Sequence, residues 1–562
     1  MVCNECGTKI IDTIYIISKI LIKINRTMKQ FIVTAAGKHF AISHIGIILL
    51  LIMLVSCKSQ ERKRIINFPT TDLAAKYLIP KPLEVVSTNN GFALDEFTTI
   101  HTSTNTEGFE EVGMFLADKI KFKTRLDLQV NGNKTTNIET IISVNQSNSA
   151  ELNSPEAYQI VITQDSIVLN SQTAAGAFRG IQTIRQIIPE TSNDTLAENK
   201  IWVIPTGKII DAPQFEYRGS MLDVARHFYS VKDIKKYIDV LSYYKYNVLH
   251  LHLSDDQGWR IEIKSWPKLT QIGGSSEVGG ESGGFYTQEE YTEIVNYAAA
   301  RHITIVPEID MPGHTNAASF SYPFLNGNGK SLEFYEGTEV GFSTFNTRKD
   351  SVYAFINDVI REVSSLSPGP YFHIGGDESH VTKKDDYIYF VNRVEKIVQK
   401  YGKHMVGWDE VATADVDSTS ISQWWKSEEN VKKALAKNMK IILSPANKSY
   451  LDMKYDSLSK FGLTWAGYIP VDTAYIWNSE SYLPKESILG IEAPLWTETV
   501  SNIEELEYLA FPRAIGYSEL GWTTEENRDW ENYKVRLANQ TPYFDRMNIK
   551  YYPSSLIEWK RK

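Results

Sequence analysis

From Pro213 onward the chain repeats one unit: a short apolar run, a cluster of acidic and aromatic residues, then a segment with apolar side chains at helical spacing. Runs at residues 219–224, 247–253, 303–309, 371–374, 404–408, 421–424, 440–443 and 488–491 read as strands. Helical spacing fills 232–244, with Ile234, Tyr237, Ile238 and Leu241 on one face, and recurs at 289–301, 352–366 and 391–401. Strands separated by helices pair in parallel, because the connection is a crossover rather than a hairpin. Eight such strands predict an α/β fold, a (β/α)8 TIM barrel over residues 211–550, with a short tail at 551–562.

A different pattern precedes the barrel. Residues 157–163 and 166–170 flank Gln164-Asp165 as a hairpin with a two-residue turn, and Phe178, Ile181, Ile184 and Ile188 lie at helical spacing. The reading is a small α+β domain over 78–210, ended by Asp211-Ala212-Pro213. Nearer the start, the apolar stretch 41–56 is shorter than the ~20 residues of a spanning helix and suits a signal peptide. It ends Leu54-Val55-Ser56-Cys57, which resembles a bacterial lipoprotein signal. Residues 1–57 are therefore expected to be a leader, Cys57 a lipidation site and 58–77 a tether, so that the body is exported and lipid-anchored to the cell envelope. Lys29 and Lys38 form the basic start of that signal if translation begins at Met28; an uncleaved anchor is the alternative.

The 3 cysteines, Cys3, Cys6 and Cys57, lie in this leader, which removes disulfides, thiolate metal sites and cysteine catalysis from the body. With 59 Lys+Arg against 68 Asp+Glu and a net charge of −9, there is no basic excess for nucleic acid. The 12 Trp and 30 Tyr serve either packing or stacking on flat apolar ligand faces.

In barrels of this kind catalytic groups come from the carboxyl ends of the strands. Here those ends carry Asp223, Arg226, Asp255, Asp256, Glu308, Asp310, His314, Asp377, Glu378, Trp408, Trp425, Tyr450, Asp452, Trp496 and Glu498. Acids beside tryptophans suit sugar chemistry, with carboxylates as proton carriers and indoles against the C–H faces of a pyranose. Asp377 and Glu378 are adjacent and point different ways, which makes them poor candidates for an opposed pair across one bond.

Over about residues 78–550 the chain resembles the family-20 glycoside hydrolases, the exo-β-N-acetylhexosaminidases. The resemblance rests on Leu222-Asp-Val-Ala-Arg-His-Phe228, the 247–260 segment ending Ser-Asp-Asp-Gln-Gly-Trp-Arg260, Pro307-Glu-Ile-Asp-Met-Pro-Gly-His314, His373-Ile-Gly-Gly-Asp377-Glu378, Gly407-Trp-Asp-Glu410 and Glu492-Ala-Pro-Leu-Trp-Thr-Glu498. It implies substrate-assisted hydrolysis, in which the acetamide oxygen of the substrate attacks the anomeric carbon and water opens the resulting oxazolinium with retention. It makes Glu378 the general acid/base, Asp377 the residue that orients the acetamide, and Asp255 with His314 a dyad beside them; Asp256 is the alternative to Asp255. By the same resemblance Arg218 holds sugar hydroxyls, and Tyr450 and Asp452 contact the acetamide oxygen and a hydroxyl. Trp408, Trp425 and Trp465 wall the acetamide pocket, with Trp425 preferred to Trp424; Trp496 lies under the ring and Glu498 contacts a hydroxyl. The implied partner is a glycan with a terminal β-GlcNAc or β-GalNAc. No cofactor and no metal are implied, and pairing of two copies through the barrel mouth, known in some members, is left open.

Two other readings compete. A barrel that has lost catalysis would be a glycan-capturing surface lipoprotein, which the presence of every matched motif residue argues against. His250 and His252, on one face of a strand, have the spacing of a metal pair.

Overall fold

The computed structural model describes residues 19, 68–103, 106–132, 140–149, 151–192, 200–328 and 332–560. Cys57, and with it all of the 1–57 leader except Lys19, lies outside the described residues, as does half of the tether. Among the described residues no helix is long and apolar enough to cross a membrane. The chain divides into Met1–Arg64 and Ile65–Lys562, and the architecture below belongs to the second unit.

This unit begins with a six-stranded sheet of order β1-β6-β4-β5-β3-β2. Its strands are β1 (Glu84–Leu94), β2 (Thr98–Thr102), β3 (Thr140–Gln146), β4 (Tyr158–Ile162), β5 (Ser166–Ser171) and β6 (Trp202–Asp211). β4 and β5 form the expected hairpin, in which the Thr163 N–H donates to the Ser166 carbonyl at 2.8 Å. Helices α1 (Phe109–Thr124) and α2 (Ala174–Ile187) pack on the sheet, where Phe178, Ile181 and Ile184 join Ile160, Leu169 and Ile204 in one core.

The barrel follows as eight parallel strands. They are β7 (Tyr217–Asp223), β8 (Val248–His252), β9 (Thr304–Glu308), β10 (Tyr371–His373), β11 (His404–Trp408), β12 (Ile421–Trp424), β13 (Lys440–Leu443) and β14 (Ile488–Leu495), each where the sequence places it. The ring closes where β14 pairs with β7, with Gly490 opposite Tyr217. Capping boxes of Ser230 with Asp233 and of Thr287 with Glu290 start the connecting helices α3 (Val231–Tyr243) and α4 (Gln288–Ala299); α5 (Asp350–Leu366) and α6 (Lys384–Lys400) follow.

Because alternate strand residues share a face, the barrel interior is stacked in storeys. At the amino end Tyr217, Val248, Val306, Val406, Ile421 and Ile442 form an apolar plug. Two residues further along, His250, Glu308, Trp408, Gln423, Ser444 and Glu492 are all buried, so the next storey is polar and carries charge.

Below the plug the sheet domain is tied to the barrel by buried ions. Lys245 Nζ donates to Asp211 Oδ2 (2.9 Å) and to the Tyr158 hydroxyl (2.8 Å), and the Trp522 indole N–H donates to Asp211 Oδ1 (2.8 Å). Glu156 accepts from Arg179 (2.7 Å) and Arg218 (2.8 Å).

Candidate active site

After β10 the backbone turns through Gly375 (φ +65°) and Gly376 (φ +96°). A Cβ on Gly375 would lie 1.8 Å from Asp310 Oδ1, so both the φ angle and the space demand glycine. The Gly376 N–H donates to Asp310 Oδ1 and the Gly375 N–H to His373 Nδ1, each at 3.0 Å. This turn carries Asp377 and Glu378 to the carboxyl end of the barrel, with Glu378 itself in the left-handed region (φ +43°), a conformation that costs energy and often marks functional positions.

There Asp377 and Glu378 border a cavity of about 310 Å³, at the small end of ligand sites. Trp425, Tyr450, Trp465 and Trp496 supply its aromatic walls, and Arg226, Lys426, Asp452 and Glu498 its other charged groups. The Trp425 and Tyr450 rings are nearly parallel (15°), and Trp465 stands across both at 77° and 83°, which gives three sides of a box. Trp424, by contrast, packs against Tyr482 (ring centroids 5.2 Å apart), outside the cavity. Thr338, Val340, Leu463 and Thr499 complete the wall; with Lys426 they sit on loops whose type and spacing carry no periodic signal.

Three acceptors at this cavity, Asp377 Oδ1, Asp452 Oδ2 and Glu498 Oε2, are buried and have no hydrogen-bond partner in the protein. A small aromatic box with orphaned acceptors is built for a ligand that offers N–H and O–H groups beside apolar faces. Burial, offset in part by His314 and reinforced by Glu378, lifts the Asp377 carboxyl to about 6. Burial and the nearby Glu498 push Asp452 well above the usual carboxylate range.

His314 Nδ1 lies 3.1 Å from Asp255 Oδ1 and 3.8 Å from Asp256 Oδ2, so Asp255 is its hydrogen-bond partner. His314 Nε2 faces Asp377 Oδ2 at 3.7 Å and Glu378 Oε2 at 3.8 Å. Burial disfavours the Asp255 carboxylate, but Arg226 and His314 hold it well below the usual range; burial disfavours His314 charge as well, and Asp255 and Asp310 overturn that. Burial and Asp255 lift Asp256 instead, to about 6, while Ser343 and the Asn316 N–H hold it away from the dyad.

Two expectations need correction. Arg218 is the second residue of β7, at the amino end of the strand, where it donates to Glu156 and to the Phe215 and Lys245 carbonyls. It therefore ties the two domains together and lies at the end of the barrel opposite the cavity. The arginine at the cavity is Arg226, just past the carboxyl end of β7, 2.9 Å from Asp255 Oδ2 and with its guanidinium 4.9 Å from the Trp496 ring centre. Trp408 is not among the cavity-bordering residues; it packs one layer behind, 5.6 Å from the Trp496 ring, and its indole N–H donates to Glu308 Oε1 at 3.0 Å. His250 and His252 each have both ring nitrogens within 3.0 Å of a carboxylate oxygen.

A parallel barrel whose carboxyl end holds acids in an aromatic box has the architecture of a glycoside hydrolase. Residues 215–525 match the catalytic domain of glycosyl hydrolase family 20, and residues 75–212 match domain 2 of that family. A β-N-acetylhexosaminidase of Cellulomonas fimi is 37% identical over 410 residues, 72% of this chain and 82% of its own. The GH20 β-N-acetylhexosaminidase of Streptomyces coelicolor superposes with a TM-score of 0.80 at 42% identity, covering 86% of this chain and 99% of that one. The Streptomyces plicatus N-acetyl-β-hexosaminidase, solved with Thio-NAglucal, gives 0.81 at 42% identity over 88% and 99%. The chain belongs to glycoside hydrolase family 20 and is a β-N-acetylhexosaminidase.

Proposed function

We propose that the enzyme removes terminal non-reducing β-linked N-acetylhexosamine, GlcNAc or GalNAc, from glycans by substrate-assisted catalysis with retention. The observation that carries this reading is Asp377: a carboxylate beside the acid/base candidate, in an aromatic box, with one buried oxygen that lacks a protein partner. An acetamide N–H is the donor that fits it. In the first step the acetamide oxygen bonds to the anomeric carbon as the glycosidic C–O bond breaks, and the proton of Glu378 goes to the leaving oxygen. Positive charge then spreads to the acetamide nitrogen, where Asp377 stabilises it. In the second step Glu378 takes a proton from water, which bonds to the anomeric carbon and expels the acetamide oxygen.

Trp496 lies under the ring and Trp425, Trp465 and Tyr450 enclose the methyl end, while Arg226, Asp452 and Glu498 bind hydroxyls. Export and lipid attachment at Cys57 belong to the same proposal and rest on the apolar stretch that ends at that cysteine. The test is turnover of an aryl β-GlcNAc against the matching aryl β-glucoside. Only the first is expected to react at an appreciable rate, since the second lacks the internal nucleophile and leaves Asp377 unpaired; equal rates would refute the mechanism.

A further inference from the structure

Beneath the catalytic acids the polar storey forms a buried column of alternating imidazoles and carboxylates. The Tyr217 hydroxyl and the Gln423 side-chain N–H donate to Glu492 at 2.6 and 2.7 Å. His250 lies between Glu492 (Nδ1, 2.9 Å) and Glu308 (Nε2, 3.0 Å). His252 lies between Glu308 (Nδ1, 2.7 Å) and Asp255 (Nε2, 2.8 Å), and Asp255 in turn holds His314. An imidazole hydrogen-bonded to a carboxylate through each nitrogen donates twice, which only the imidazolium can do. His252 is therefore a buried cation between two carboxylates.

We propose that Glu308 is a positioning residue of the hydrolytic site. Through His252 it fixes the charge and hydrogen-bond direction of the Asp255–His314 dyad, and through Trp408 it fixes the layer that backs Trp496. The inference rests on the hydrolytic reading above. Glu308 stands on β9 and touches no residue of the cavity, yet it is the one carboxylate shared by His252 and the Trp408 indole. With His252 saturating Asp255 Oδ2 beside Arg226, Asp255 Oδ1 is left for His314, whose other nitrogen then faces Asp377 and Glu378. Asp310 and Asp377, from the loops after β9 and β10, also interact with His252 electrostatically, the Arg226 guanidinium opposes its charge from across Asp255 Oδ2, and Trp496 meets it edge to face at 4.9 Å. Burial opposes the His252 charge, but Glu308 and Asp255 hold the ring well above the ordinary imidazole range.

The experiment compares wild type, Glu308→Gln and Glu308→Asp in the pH dependence of kcat/KM on 4-nitrophenyl β-N-acetylglucosaminide. In Glu308→Gln, His252 loses one carboxylate and its pKa is expected to fall, bringing an ionisation into the profile that wild type lacks. The expected fall in kcat/KM at the optimum is about 10- to 100-fold, the scale of partners one shell out from a reacting centre; Glu308→Asp should restore the wild-type shape. A folded Glu308→Gln protein with a profile of wild-type shape would overturn the assignment, whatever its activity. A second measurement does not depend on activity or on that variant's folding: spectra of 15N-histidine-labelled wild type should show both His252 ring nitrogens protonated at pH 8. A singly protonated ring there overturns the inference, whereas absence of turnover by wild type overturns the hydrolytic reading alone.

Discussion

At the scale of single residues, the two adjacent acids should respond differently to substitution. Glu378→Gln removes the proton donor, and the loss should be about 10²- to 10⁴-fold on a natural glycan but much smaller on an aryl glycoside, whose leaving group needs no proton. Asp377→Asn should abolish most turnover and yet stabilise the protein. The folded carboxyl titrates at about 6, above its unfolded value, so its contribution to stability is present at low pH and is lost as pH rises through 6. Denaturation midpoints at pH 8 should therefore favour Asp377→Asn by about 1–3 kcal/mol, and those at pH 4 should coincide with wild type. The arginines separate in the same way. Arg226→Lys should raise KM and lower kcat by loss of a planar fork at the cavity, whereas Arg218→Lys should lower the melting temperature and leave kinetics alone.

Among the elements, the turn after β10 is the least replaceable. Gly375→Ala meets both a positive φ and the Asp310 carboxylate at 1.8 Å, so it should cost about 2–4 kcal/mol in chemical denaturation and displace Asp377 and Glu378 with it. The barrel strands were legible because each is a compact apolar run between breakers, and so was the Glu378 turn, whose glycines stand in the sequence. The start of α6 was not: its first turn, Lys384-Asp385-Asp386, is charged, and the helix begins seven residues before 391. The misplaced arginine shows what resemblance without geometry costs. Arg218 is the second residue of one seven-residue strand, about 17 Å from its carboxyl end at ~3.3 Å per residue, and only Arg226 follows that end, where barrel chemistry sits. The buried column was half visible, since Val248, His250 and His252 alternate on one face. Which carboxylates meet those imidazoles depends on pairing among β8, β9 and β14, strands far apart in the sequence.

For the molecule as a whole, the sheet domain is fastened to the closed end of the barrel by charges that are largely withdrawn from water. Deleting one member leaves its partner buried and unpaired, so Asp211→Ala, which strands Lys245, should cost about 3–5 kcal/mol. Calorimetry is expected to show a single transition in wild type that moves down in the variant, with kcat/KM at low temperature unchanged because the cavity lies at the opposite end. The dimensions of that cavity also bear on the kinetics. A recess of about 310 Å³ at the end of a packed barrel admits one ring at a time. Such an enzyme responds to the number of termini and is indifferent to mass: at equal weight, a glycan of twice the length presents half as many termini and should be consumed at half the initial rate, while each added branch restores one.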